Sequence, residues 1–169
     1  EAAPEALSKT GLVTSALWSD VDGDGWVDLL VTHEWGPVKV FHNQKGKLVD
    51  ATIGSGVSEL SGWWNSIAAG DIDADGDLDF AVGNVGLNSK YHANEEHPAL
   101  LYYGDMDDAG RPKIVEAEFE GKTLYPVRGR SCSGNAMPGL KDKFPTFKSF
   151  AIAPLDKIYE GDKLASSKK

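Results

Sequence analysis

The sequence predicts a mainly β fold, a partial β-propeller of antiparallel blade units whose hairpins close on calcium loops, followed by a short C-terminal helical segment. Three observations carry this. Two nine-residue acidic stretches, Asp20-Val-Asp22-Gly-Asp24-Gly-Trp26-Val-Asp28 and Asp71-Ile-Asp73-Ala-Asp75-Gly-Asp77-Leu-Asp79, recur 51 residues apart. Each lies between short apolar, β-branched and aromatic runs bounded by Gly and Asp, which is the strand signal. After Tyr125 the apolar spacing changes to i, i+3 and i+4, the period of helices.

Each acidic stretch places aspartates at positions 1, 3, 5 and 9 around a glycine at position 6. Ca²⁺ takes about six to eight hard oxygen ligands in a flexible shell, and alternate side chains of a tight loop converge on one point. The ligand sets are therefore Asp20, Asp22, Asp24 and Asp28 with the Trp26 carbonyl, and Asp71, Asp73, Asp75 and Asp79 with the Asp77 carbonyl. Four carboxylates held within about 4–5 Å repel by roughly 1 kcal/mol per pair even in water, so such loops need a cation. An EF-hand would carry glutamate at position 12 and flanking helices. Position 12 is Val31 in one copy and Val82 in the other, and the flanks read as strands.

The first strands are Val13–Ser19 and Asp28–Thr32, and their counterparts in the second copy are Trp64–Gly70 and Asp79–Gly83. At the 51-residue offset Ser15 falls on Ser66, Val21 on Ile72, Leu29 on Phe80 and Val31 on Val82, so the unit is an internal repeat. Pro37–His42 and Lys47–Thr52 add two strands, giving four within about 40 residues, the size of a propeller blade. A first blade over 1–56 and a second over 57–125 follow. The second is interrupted by the polar insertion Gly86–Pro98 and resumes as Ala99–Tyr103, Ile114–Phe119 and Thr123–Tyr125. Trp63 and Trp64 fit blade core better than a sugar-stacking platform.

A degenerate third loop begins at Asp105. It keeps Asp105, Asp107 and Gly110, with Arg111 offering the position-7 carbonyl. Ala109 and Lys113 replace two ligands, and Glu116 at position 12 is available to compensate, so a third calcium site and a metal-free turn are both open. Residues 126–169 read as two or three short helices, with Thr146 as an N-cap, Pro154 at a first helical position and Gly161 as a C-terminal stop. The chain is thus read as a single propeller-type fragment in three parts.

Charge is uneven: residues 1–110 hold 19 acids against 5 bases, and residues 111–169 hold 7 against 12. Much of the net charge of −9 is ligand charge, and no basic face suggests nucleic acid as a partner. Cys132 is the single cysteine, so no intrachain disulfide forms. No membrane span or signal peptide is evident, and the polar start Glu1-Ala-Ala-Pro-Glu suits a mature or trimmed chain. Calcium loops lacking a position-12 glutamate suit millimolar calcium, which points to an extracellular, periplasmic or cell-surface location.

Ser19–Leu30 and Gly70–Gly83 resemble the FG-GAP and VCBS repeats, the calcium-binding blade units of integrin α-subunit propellers and of many exported bacterial proteins. The resemblance implies the same ten calcium ligands. It departs from the pattern in lacking a Phe-Gly pair before either loop and in carrying His33-Glu34 and Asn84-Val85 where Gly-Ala-Pro is usual. The tail, with Tyr125-Pro-Val-Arg128-Gly-Arg130 and Phe144–Ala151, is similar to an insertion in large bacterial VCBS-type proteins.

Gly129–Gly134 has serines where a nucleophile elbow needs glycines, so it reads as a polar loop. His33 and His42 are placed to face each other on neighbouring strands, and His92 and His97 bracket two glutamates; both pairs are weak zinc candidates. Tyr125, Arg128 and Arg130 are the candidate ligand-facing groups, because a guanidinium suits carboxylates and acidic sugars, with salt bridges as the alternative. Two readings follow. One is a non-catalytic, calcium-stabilised propeller segment for adhesion or for protein or carbohydrate recognition; the other is part of a calcium-dependent polysaccharide lyase or hydrolase. Closed propellers have at least about four blades, so either further blades of a longer chain or self-association covers the open edges.

Overall fold

β-Branched and aromatic runs extend as strands because their side chains pack well on a pleated surface, and the Asp/Gly clusters between them turn the chain. The computed structural model describes residues 5–167 and divides into two units, 1–88 and 89–169.

The first unit contains α1 (Glu5–Ser8), β1 (Leu12–Ser19), β2 (Asp28–Gly36), β3 (Lys39–Gln44), β4 (Lys47–Asp50), a 3₁₀ turn over Thr52–Ser55, β5 (Gly62–Gly70) and β6 (Asp79–Asn84). All six strands form one antiparallel sheet in the order β4-β3-β2-β5-β6, with β1 also paired to β2. The two long acidic loops close the β1–β2 and β5–β6 hairpins, as the repeat predicts. β2 is the hub. β1 pairs with it from Asp28 to Glu34 and β3 pairs with its first half, while Glu34 and Gly36 pair with β5 across a register shift at Trp35, whose φ is +60°.

Residues 28–33 of β2 are buried without alternation, because neighbours cover both faces. Leu29, Val31 and Phe41 form the core cluster, with Leu7 and Leu48 against it. Its small size makes the unit dependent on other sources of order.

His33 is 3% exposed, and its ring lies against Gly11 and Gly36: a Cβ at Gly36 would come within 2.8 Å of His33 Nε2. Sequence reading set His33 opposite His42. The register instead pairs His33 with Val13 and leaves His42 at the other end of β2. Burial, helped by the positive charge of Lys39, holds the His33 imidazole below its ordinary pKa. A base whose folded pKa is depressed stays neutral in the fold while the unfolded chain takes up a proton, so stability present above about pH 6.5 is lost as pH falls below it. In constant excess calcium, the urea midpoint is expected to fall between pH 7.5 and 5.5, with a slope of at most about 1.4 kcal/mol per pH unit from this group. His33→Leu should flatten that slope; an identical slope in the variant would assign it elsewhere.

The second unit contains β7 (Leu100–Gly104), β8 (Lys113–Glu120) and β9 (Thr123–Pro126), an antiparallel meander, then α2 (Arg130–Ala136), α3 (Gly139–Lys143), α4 (Phe147–Ala151), α5 (Leu155–Ile158) and α6 (Gly161–Ser166). Tyr102, Val115 and Ala117 of the sheet form one core with Met137, Leu140, Phe150, Leu155, Ile158, Tyr159 and Leu164. The second repeat expected over 57–125 is therefore divided between two sheets. β5 and β6 join the first unit, and β7 to β9 collect the helices instead of completing a blade. The fold is mainly β with antiparallel sheets and short helices.

Five short helices stand where two or three were expected. Thr146 does cap α4: its Oγ1 accepts from Ser149 N at 3.0 Å while Ser149 Oγ accepts from Thr146 N at 3.2 Å, a reciprocal pair. Pro154 precedes α5 by one residue, and Gly161 opens α6 instead of stopping a helix. Gly129–Gly134, read as a polar loop, lies at and within a helix over Arg130–Ala136, with buried Ser133 donating to the Arg128 carbonyl at 3.1 Å.

Candidate metal centre

The two acidic loops fold alike because backbone amides of the loop hold equivalent carboxylates, with the position-1 aspartate differing in one of its two donors. Asp20 accepts from the N–H groups of Gly23 and Gly25, both at 2.9 Å, and Asp71 accepts from Asp75 and Gly76 at 3.2 and 3.1 Å. Asp22 accepts from Asp24 N, as Asp73 does from Asp75 N. Asp24 and Asp75 in turn accept from the position-7 amides of Trp26 and Asp77. The position-9 carboxylates reach back to position 2: Asp28 accepts from Val21 N and Asp79 from Ile72 N, each at 2.9 Å. Every one of these bonds orients a carboxylate without neutralising it.

Positions 4 and 6 both have positive φ in each loop: Gly23 and Gly25 in the first, Ala74 and Gly76 in the second. Ala74, at φ +65°, adopts the left-handed conformation without the freedom of glycine, at a cost of about 1–2 kcal/mol. The loop tolerates this strain to keep its aspartates pointing one way.

Ligand oxygens of Asp20, Asp22 and Asp24 lie within 4.8 Å of one another, as do those of Asp71, Asp73 and Asp79. Asp28 is 1% exposed, and among the described residues no lysine or arginine pairs with it. Its oxygens accept from Val21 N and from Asn43 N at 2.7 Å, a neutral shell around a buried anion. A buried charge of this kind costs several kcal/mol unless an opposite charge accompanies it. Three convergent carboxylates in each loop, at positions 1, 3 and 5 in the first and 1, 3 and 9 in the second, are hard oxygen donors of the kind that fit a calcium ion.

The third loop follows the same path with different chemistry. Asp105 accepts from Ala109 N and Gly110 N at 3.1 and 2.8 Å, and Asp108 and Gly110 carry the positive φ of positions 4 and 6. Desolvation works against ionisation of Asp105, but the amides of Gly110, Asp107 and Ala109, with the Lys163 charge, hold its carboxyl below the usual range. Lys163 of α6 places its ammonium on Asp108 and 3.9 Å from Glu160. Glu116, the position-12 residue of this loop, pairs with Lys90 at 3.0 Å and Arg128 at 3.2 Å. Burial raises the Glu116 pKa, but the bonds from Arg128, Lys90 and Tyr91 outweigh it and keep the carboxylate charged.

The remaining candidates are placed as follows. Arg128 is held by Glu116, and Arg130 donates to the carbonyls of Phe144 and Lys141 with its guanidinium over the Phe147 ring. The salt-bridge alternative thus describes Arg128, and Arg130 is anchored to backbone. Tyr125 sits half-buried on β9 opposite Glu118. His92 lies 3.9 Å from Glu118, and His97 packs on Phe119 at 5.1 Å; among the described residues neither joins a metal-ligating group. Trp63 stacks at a tilt on Trp35 with centroids 6.0 Å apart, and Trp64 donates to the Leu60 carbonyl; both are half-buried and belong to neither core cluster.

Sequence reasoning missed two neighbours of the first loop. Leu29 pairs with Phe41, and continuing that register sets His42 and Asn43 beside Asp28. His42 Nδ1 lies 2.9 Å from Asp22, and Asn43 binds Asp28 through its amide and Val27 through its side chain. Counting back from the Gly36-Pro37 turn was the available signal.

These features define a protein class: mainly β, with repeated hairpins closed by acidic loops. Residues 20–82 match the family model of the FG-GAP-like repeat, so this stretch of the chain is similar to such repeats. The match runs from the first aspartate of the first loop to the strand that leaves the second. No curated protein and no solved structure matches the chain.

Proposed function

We propose that the chain is a calcium-stabilised, propeller-type recognition module, in which two Ca²⁺ ions staple the β1–β2 and β5–β6 hairpins. The observation that carries this reading is Asp28, a buried carboxylate grouped with Asp22 and His42 and, among the described residues, without a lysine or arginine as partner. Calcium there offsets the burial of charge and the mutual repulsion of the loop. The third loop serves as a metal-free turn, tied by Lys163. Such sites fill where calcium is millimolar, so the module works outside the cell, in a periplasm or at a cell surface. Its role is adhesion, or binding of a protein or carbohydrate, and its open sheet edges are covered by further blades or by a second copy.

Cleavage of an acidic polysaccharide would require Arg128 and Arg130 to meet substrate, and their commitments within their own unit favour the binding role. The test is calorimetric titration of the metal-free chain with calcium. Two saturable sites are expected, falling to one in Asp73→Ala and to one in Asp22→Ala. A heatless, unsaturable titration would end the proposal, and three sites would return the third loop to the set of ligands.

A further inference from the structure

We propose that the first loop contains a second kind of metal site, formed by Asp22, Asp28 and His42, that takes a zinc-class divalent cation. It rests on the reading of that loop as a cation site and adds a preference that the second loop lacks. One ligand atom from each of the three residues lies within 4.8 Å of the others, and His42 Nδ1 is already 2.9 Å from Asp22 Oδ2. Zinc holds nitrogen and oxygen ligands at about 2.0–2.2 Å, so two of its ligands sit roughly 3.4 Å apart in a tetrahedral shell. A small contraction of the trio reaches that spacing.

The parts of the trio differ in how firmly they are held. Asp28 is fixed by two backbone amides, and its position is set by β2 and β3 together. His42 is anchored on β3 by pairing with Val49 of β4, and its side chain, like that of Asp22, remains about one-third exposed, so an ion enters from solvent. A rigid buried carboxylate, an accessible carboxylate and an imidazole leave a fourth position for water. Calcium prefers oxygen, whereas imidazole suits zinc and related ions.

The two loops are unequal in this respect. The residue 51 positions beyond His42 is Ala93, which lies outside both sheets. The second loop's convergent group, Asp71, Asp73 and Asp79, has oxygen ligands alone. Because Asp22 and Asp28 belong to both sets in the first loop, zinc and calcium compete there and only there.

The experiment is a zinc titration of the full chain against a chromogenic chelator, repeated with calcium-saturated protein and with His42→Ala and His42→Gln. One zinc is expected to bind to the wild type. Its affinity should fall at least about tenfold in both variants, and excess zinc should reduce the calcium stoichiometry from two to one. Co²⁺ in place of zinc should give the strong visible bands of a low-coordinate site in the wild type but not in the variants. A triple variant, His92→Ala, His97→Ala and Cys132→Ser, should keep the zinc affinity. Zinc affinity unchanged by loss of His42, zinc affinity abolished in the triple variant, or, where calcium binds, calcium stoichiometry unchanged by excess zinc overturns the proposal. Circular dichroism in calcium verifies that the variants fold. If calcium binds neither wild type nor variants while zinc binding still requires His42, the calcium reading fails and the zinc site stands.

Discussion

Stripping divalent cations with EGTA is expected to lower the melting temperature of the first unit by at least about 10 °C. A ligand at a hundredfold excess over its dissociation constant stabilises the native state by about 2.7 kcal/mol per site. Both acidic loops lie in residues 1–88, and for a domain of that size each kcal/mol moves the midpoint by about 4–8 °C. The effect is large because the apolar core there is small: Leu29, Val31 and Phe41, with two partly buried neighbours. It should also be local. The helical core of the second unit, from Tyr102 to Leu164, contains neither loop, so amide exchange in EGTA should accelerate across β1–β6 and leave β7–β9 and α2–α6 unchanged. An unshifted melting curve, with exchange the same in both units, would contradict the structural role assigned to the ions.

Phe41→Ala is expected to cost about 3–5 kcal/mol, the range for a large aromatic removed from a packed interior. Phe41 is 0% exposed, faces Leu29 across the β2–β3 ladder, and pairs with Asp50 of β4 on its other side. Truncation leaves a cavity at the centre of a cluster with few other members. It also loosens the chain next to His42 and Asn43, whose contacts fix Asp22 and Asp28, so calcium affinity at the first loop should fall with stability. Phe147, 66% exposed on α4, is the comparison: Phe147→Ala should change stability by less than about 0.5 kcal/mol. Equal losses from the two substitutions in urea unfolding would mean that the small core is not what holds the sheet.

The hairpins and their loops were legible in the sequence because their information is local. A nine-residue window contains the carboxylates, the glycine and the turn, and the adjoining runs declare strands on either side. Blade membership was not legible, since it depends on which edge β7 seeks. The insertion before Ala99 frees that strand from the first sheet, and nothing in Ala99–Tyr103 specifies whether it pairs with β6 or with β8. The tail was half legible. Thr146 states its capping function within four residues, whereas Gly161 is compatible with either end of a helix, and the following Asp162, favourable in a first turn, was the neglected cue. The place of His42 beside the first loop escaped notice because its relation to Asp28 is one of register.

The positive φ angles at positions 4 and 6 recur in all three acidic loops, including the one where alanine and lysine stand in place of two aspartates. The path of the chain around these corners is thus written in the main chain and survives the loss of side-chain acids. A corner held by its main chain leaves its side chains free to vary without rethreading the fold, and at the third loop a tethered ammonium, Lys163, sits beside Asp108.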